Sequence, residues 1–411
     1  MSHRLLAVPG LERAQTMERI RAFDRAAVFK YLTEDDRYLT RGEAPALRFA
    51  FIGCGIMGQE HMFNTLLEGR ATVAGIYDPE STSVEAARKR LQAMGVEPEV
   101  YASLDAAVAA DVDGYFIATP NYTHLEVARP VFAAGKPVFL EKPLATELAD
   151  AAELCRLAAG HTAHVQIGLQ YRYKAIYREA INEVFDRGAV GDVQSVNMVE
   201  QRFPFLDKVG QWNKFDRYTG GVLVEKCCHY FDLMNLFAGG RAQRVFAMGK
   251  QAVNFRNFSY ANARADGLDS ANVLIEYDNG VMGNFSFSMH VPGSYEELVV
   301  CGSSGRLQAT EQSRLGEDNR NTLMLWTGED AVDKISHPSY PEYIAKAGHH
   351  GSTFQEHVLF VDAVLNKETA TPSLDEAFWS VLVAKAAQAS IADGKPVDVA
   401  DLIPDTYEGT R

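Results

Sequence analysis

Cysteine is scarce in this chain, with five in 411 residues. Cys54, Cys155, Cys227, Cys228 and Cys301 show no disulfide framework and no zinc spacing, and the adjacent pair Cys227-Cys228 suits neither a bridge nor a structural metal. A reducing compartment follows. Positive charge is also in deficit: 40 Lys and Arg against 54 Asp and Glu give a formal net charge of -14, which argues against nucleic acid as a main partner. No apolar run approaches a membrane span, and the first residues lack the apolar core of a signal peptide. A cytoplasmic protein with no membrane partner is expected. Repeats and low-complexity segments are missing too. What remains is ordinary globular material, 47% hydrophobic and 23% charged, long enough for two domains with their own cores.

One stretch organises the rest. Residues 47–52 read as a buried β-strand that runs into Gly53-Cys54-Gly55-Ile56-Met57-Gly58, the pattern G-x-G-x-x-G. Gly53 permits the tight turn, Gly55 lets a pyrophosphate approach the backbone, and Gly58 lets the next helix pack close to the sheet. The free N–H groups of that helix, Ile56 and Met57 included, would face the phosphates. A second apolar run, residues 72–77, ends in Asp78, where a ribose-binding carboxylate belongs. Such a carboxylate accepts from both ribose hydroxyls and repels a 2′-phosphate. Pro79-Glu80-Ser81 bring no arginine, so the expected cofactor is NAD and not NADP.

The pattern predicts three parts. Residues 1–46 form an N-terminal extension, with a helix over 11–31 that places Met17, Ile20, Phe23 and Ala27 near one face. Residues 47–170 alternate strands (47–52, 72–77, 114–118, 137–141, 164–169) with helices (83–94, 124–134, 147–159). Apolar strands joined by helices give a parallel, doubly wound Rossmann sheet with its ligand crevice at the carboxyl ends. The fold class is therefore α/β at the start. Residues 171–411 read as an α+β domain for substrate binding and oligomerisation, with a large, mostly antiparallel sheet. Its strands are expected at 193–202, 245–251, 271–277, 281–288 and 297–301, with Asp278-Asn279-Gly280 as a hairpin turn. Helices 352–366 and 373–393 close it, and 256–268 reads as a surface loop.

Polar clusters fall at strand ends: Thr119-Pro120-Asn121 follows one and Glu141-Lys142-Pro143 another. An ammonium at Lys142 would point into the crevice and could hydrogen-bond a substrate oxygen or keep a nearby base neutral; a surface lysine paired with Glu141 is the alternative. In the stretch 219–232, a helix would bring Glu225, His229 and Asp232 to one face at i, i+4 and i+7. A histidine between carboxylates suits a general base. A metal site competes with that reading but lacks further ligands, and a satisfied core histidine is the third option. Arg202, Lys208, Trp212, Lys214 and Arg217 crowd a loop before Gly220-Gly221. Trp212 could stack on a sugar ring, and the cations could bind an acidic substituent; an ordinary solvated loop fits equally well.

These residues together resemble the Gfo/Idh/MocA oxidoreductases, from Leu47 onward. The glycine turn, Ala118-Thr119-Pro120-Asn121-Tyr122-Thr123-His124, the run 134–144 with Glu141-Lys142-Pro143, and Gly220-Gly221 followed by His229 and Asp232 carry the likeness. The resemblance implies NAD held by Thr119, Pro120, Asn121, His124, Glu141, Lys142 and Gln170 besides the glycine turn and Asp78. It implies Tyr171 and Arg172 facing substrate, and Lys142 and His229 sharing the proton handling. It also implies a homodimer or homotetramer paired through the open face of the second sheet. Two departures stand out. Glu225 replaces the family's aspartate, and Lys226-Cys227-Cys228 replace small apolar residues.

The expectation is an NAD-dependent dehydrogenase or reductase of a sugar, sugar acid or cyclitol, with Lys142, His229 and Glu225 catalytic. An alternative is a redox glycosidase that transiently oxidises C3 of an anionic glycoside such as a sulfosugar, with Tyr171, Glu225 or His229 as the extra base. A non-catalytic NAD-sensing regulator is a third reading.

Overall fold

The computed structural model describes residues 45–313, 319–328, 332–366 and 372–409. The expected helix at 11–31 lies outside them. The first sheet holds β1 (Leu47–Ile52), β2 (Ala71–Tyr77), β3 (Glu99–Val100), β4 (Gly114–Ile117), β5 (Val138–Glu141) and β6 (Val165–Gly168), in the order β3-β2-β1-β4-β5-β6. Every pairing is parallel. Order reverses between β1 and β4, which places the ligand crevice at their carboxyl ends. The crossovers are α1 (Ile56–Glu68), α2 (Ser81–Ala93), α3 (Leu104–Val108), α4 (His124–Ala133) and α5 (Leu148–Ala159). β3 and α3 are too short to leave a periodic signal in the sequence.

The second sheet has nine strands: β7 (Val193–Gln201), β8 (Ala242–Lys250), β11 (Ser270–Tyr277), β12 (Met282–Ser288), β13 (Ser294–Gly302), β14 (Arg306–Ser313), β15 (Arg320–Trp326), β16 (Lys334–Ser336) and β17 (Val397–Asp398). Their order is β16-β15-β14-β13-β7-β12-β11-β8-β17. Only β12 and β7 run parallel. Alternation buries Val196, Met198, Val273, Ile275, Phe285, Leu298 and Val300 and turns the other face outward. The expected surface loop at 256–268 contains a small ladder, β9 (Ser259–Tyr260) with β10 (Ala263–Arg264), turned at Ala261 and Asn262, which both take positive φ.

Helices packed on the second sheet include α6 (Ala175–Ile181), against β14 and β15, and α9 (Cys228–Ala238), against β7; the short α7 (Asp216–Thr219) and α8 (Val222–Glu225) lie between them in sequence. The chain closes with α10 (Glu342–Ala345), α11 (Ser352–Asn366) and α12 (Leu374–Asp393). α11 packs on the first sheet: Phe360 and Val361 share a core with Phe49, Phe51, Phe116 and Phe139. The stretch expected as the second domain thus returns one helix to the first sheet. Among the described residues no helix is long and apolar enough to cross a membrane.

Candidate active site

The glycine turn leaves β1 with φ +104° at Gly53, where a Cβ would lie 2.4 Å from the Ala118 carbonyl oxygen. A Cβ on Gly58 would lie 2.0 Å from the Gly53 oxygen. At Gly55 a Cβ would meet nothing within 4 Å. Gly53 and Gly58 are therefore required by protein contacts, whereas Gly55 borders open space at the start of α1. No acidic residue occupies the first turn of that helix, so its unpaired N–H groups offer an anion site. Asp78 Oδ2 accepts from the Cys54 N–H at 2.7 Å and Oδ1 from the Glu80 N–H at 2.8 Å. That carboxylate braces the glycine turn and keeps lone pairs for a further donor.

His124 does something else than the sequence suggests. It is buried, with Nδ1 2.9 Å from the Pro143 oxygen and Nε2 3.2 Å from the Thr119 oxygen. Burial pulls its pKa down, although both carbonyls oppose this. The ring therefore ties the Thr119-Pro120-Asn121 turn to the Lys142-Pro143 turn and presents no nitrogen to a ligand. Thr123 Oγ1 sits 2.8 Å from Thr119 Oγ1 and 2.7 Å from the Pro120 oxygen, which fixes the first of those turns.

Lys142 Nζ donates to the Glu225 backbone oxygen at 3.1 Å. Burial would lower its pKa, but Glu225, Cys228, Glu141 and Tyr171 outweigh this and raise it. The Glu225 carboxylate accepts from Asn121 Nδ2 and lies 3.2 Å from Lys208 Nζ. Burial alone would raise it; Lys208, Lys142 and the Asn121 bond instead bring it down to about 2. Lys208 also sits 4.3 Å above the Trp212 ring, and Trp212 meets Tyr122 edge-on at 6.5 Å. Glu225, Asn121, Lys208 and Trp212 thus form one connected wall.

His229 stacks on Tyr171, with centroids 4.1 Å apart and planes at 11°. Its buried Nδ1 has no hydrogen-bond partner among the described residues. Burial, then the ammonium groups of Lys142 and Lys226, hold its pKa well below the ordinary histidine value. The expected carboxylate flanks are absent. The helix expected through 219–232 breaks at Lys226 and Cys227, between α8 and α9. Glu225 consequently turns to Asn121 and Lys208, and Asp232 is taken by Arg172. Lys226, which the sequence marks only as a departure, donates to the Tyr171 hydroxyl and lies 3.6 Å from Glu200.

Three expected substrate residues face elsewhere. Arg172 is buried and spends its guanidinium on Asp232, at 2.7 and 2.6 Å, and on Glu376 at 2.7 Å. Lys214 is buried between Phe255 and Phe258 and donates to Asp207 and Gln211. Arg217 is exposed, its guanidinium 4.5 Å from the Tyr218 ring centre. Gln170, in the short 3-10 turn after β6, is buried with Oε1 lacking a partner among the described residues. That free acceptor and the open space at Gly55 fit a dinucleotide laid across the carboxyl ends of the strands.

Comparison with known proteins decides the family. The profile of the oxidoreductase-family NAD-binding Rossmann fold matches residues 47–169, and that of the family's C-terminal alpha/beta domain matches residues 182–399. The chain belongs to the Gfo/Idh/MocA oxidoreductases. An inositol 2-dehydrogenase of Burkholderia vietnamiensis is 34% identical over 281 residues, 66% of this chain and 76% of that protein. An inositol 2-dehydrogenase of Rhizobium meliloti is 22% identical over 355 residues, 86% of this chain and 99% of the relative. GenD2 from gentamicin A biosynthesis, solved in complex with NAD, superposes with TM-score 0.68 at 26% identity, covering 86% of this chain and 96% of that one. This Gfo/Idh/MocA protein is an NAD-binding oxidoreductase. NAD as cofactor, read from the glycine turn and Asp78, agrees with that assignment.

Proposed function

We propose that this protein is an NAD-dependent dehydrogenase of a neutral, hydroxyl-rich ring, a cyclitol or sugar. The observation that carries this is His229: a ring held neutral, with a buried free nitrogen, beside the ammonium of Lys142. The inositol 2-dehydrogenase relatives support the substrate class. Bound NAD, held at Gly53, Gly55, Ile56, Met57, Gly58, Asp78, Thr119, Pro120, Asn121 and Gln170, supplies the hydride acceptor; Glu141, expected to join them, instead spends its oxygens on His61 and the Lys142 N–H. Lys142 hydrogen-bonds the substrate hydroxyl oxygen, and His229 accepts the hydroxyl proton as the carbonyl forms. The imidazolium then faces two ammonium groups and gives up its proton readily, so low pH favours the reverse reduction.

Three of the four cations in the loop 202–217, all but the exposed Arg217, are met by carboxylates, which supports a neutral substrate over an anionic one. Lys208 is matched by Glu225, Lys214 by Asp207, and Arg202 lies 4.0 Å from Glu200. A redox glycosidase needs a second base for C2–H. Glu225 is held by two donors and the Tyr171 hydroxyl by Lys226, which leaves His229 alone and supports net dehydrogenation. The test is turnover of a polyol panel, inositols included, followed by reduced-nicotinamide absorbance. Wild type should turn over at least one member, and Lys142→Met and His229→Asn should lose on the order of 10²–10⁴-fold. No turnover with any sugar, sugar acid or inositol would contradict the reading.

A further inference from the structure

Behind Lys142 runs a chain of buried polar side chains that the reaction above does not use. Glu141 Oε1 lies 2.8 Å from His61 Nε2, His61 Nδ1 2.9 Å from His357 Nε2, and His357 Nδ1 3.2 Å from Thr65 Oγ1. The second Glu141 oxygen accepts from the Lys142 N–H at 3.0 Å. Both histidines are 0% exposed. The chain links three elements distant in sequence: α1 carries His61 and Thr65, β5 ends in Glu141, and α11 carries His357.

Packing does not explain these residues. The rings sit in an aromatic nest, His357 stacked 4.9 Å from Phe116 and His61 4.8 Å from Phe139. Apolar side chains of similar volume would fill that space at least as well. What the chain adds is direction. A carboxylate only accepts, so His61 Nε2 carries the proton of the Glu141 bond. Both nitrogens of both rings and both Glu141 oxygens are used, and a buried network with every member satisfied is rigid. Gly168 closes the other side: a Cβ there would lie 2.9 Å from Glu141 Oε1.

We propose that His61 and His357 are positioning residues, which act through Glu141 to hold the turn bearing Lys142 and to keep a negative charge at its root. This rests on the reading of Lys142 as the residue that binds the substrate oxygen. The groups facing Lys142 are Glu225, Cys228, Glu141, Tyr171 and, across the site, His229. Those facing Glu141 are His61, Lys142 and His349, with the acids Glu356 and Glu60 close by. Burial, then Glu141 and Glu60, raise Glu356 well above the carboxylate range, so it is protonated and adds no charge. Burial would raise Glu141 as well, but the His61 bond and the His61 and Lys142 charges bring it down, so it stays ionised. Lysing that bond would let Glu141 take a proton and would remove a charge that stabilises the Lys142 ammonium.

The test reads Lys142 without any substrate. The NAD-saturated protein, labelled with ¹³C at lysine Cε, is titrated with pH, and the Lys142 resonance is assigned by its loss in Lys142→Arg. His61→Leu should lower the Lys142 midpoint. His61→Gln, whose Nε2–H still reaches Glu141, should restore it. With a substrate in hand, kcat of His61→Leu should fall on the order of tenfold to a hundredfold, as for other groups that hold a reactive residue from behind. Missing turnover would count against the dehydrogenase reading and would leave the titration standing. If His61→Leu does not fold, Thr65→Val and His357→Gln should lower the midpoint by a smaller amount. A midpoint unchanged in the variants that fold, with only the unfolding temperature lowered, would overturn the proposal.

Discussion

His229 is where burial and charge agree. Desolvation and the neighbouring ammonium groups of Lys142 and Lys226 all disfavour its protonated form. Oxidation needs the neutral ring, and a depressed pKa keeps it neutral as pH falls. The acid limb of kcat/KM for oxidation should therefore lie below about 6.5, the ordinary histidine value. Replacing Lys226 by Met should move that limb up, because one opposing charge is gone. A pH–rate profile of both proteins checks this, and a wild-type limb at or above 6.5 would contradict it. The residue types at this site were legible in the sequence, but the pairings were not. Arg172 and Asp232 lie 60 positions apart, and Glu225 and Lys208 lie 17 apart. Nothing in either local pattern says which carboxylate takes which cation.

At the scale of elements, strong periods decided the outcome. β1 and α11 occupy the residues that the patterns 47–52 and 352–366 predict: β1 is apolar at every buried position, and α11 buries Phe354, Phe360, Val361 and Ala363 although the same face carries Glu356 and His357. β14 went unread because a charge, Glu311, points inward, and β15 because Met324 and Trp326 on its outward face blur the alternation with the buried Leu323 and Leu325. The break between α8 and α9 was also unreadable, since it follows from what Glu225 and Asp232 bind elsewhere. Arg172 shows the consequence. Its turn is tied to α9 through Asp232 and to the capped start of α12 through Glu376. Arg172→Met leaves Asp232 buried without its partner, at a cost of about 3–5 kcal/mol. The urea midpoint should fall while KM for the polyol is unchanged. A raised KM with an unchanged midpoint would return Arg172 to the substrate.

At the scale of the molecule, α11 lays His357 and Phe360 against the first sheet although it follows all but the last strand of the second in sequence. The outer face of the second sheet exposes Met248 (68%), Leu274 (54%) and Met282 (67%) on β8, β11 and β12, which pair side by side. We propose that this face pairs copies of the chain. Light scattering should give a mass of two or four chains for the wild type and a smaller one for Leu274→Glu; a monomeric wild type would contradict this. The account as a whole depends on one convergence, of Lys142 from the first sheet and His229 from α9 on a single oxygen. A crystal soaked with NAD and a polyol that is turned over measures it directly. The prediction is that the hydroxyl next to the nicotinamide lies about 3 Å from both Lys142 Nζ and a His229 ring nitrogen. Either group more than about 10 Å from the nicotinamide carbon that takes the hydride, well outside hydrogen-bond reach, would contradict it.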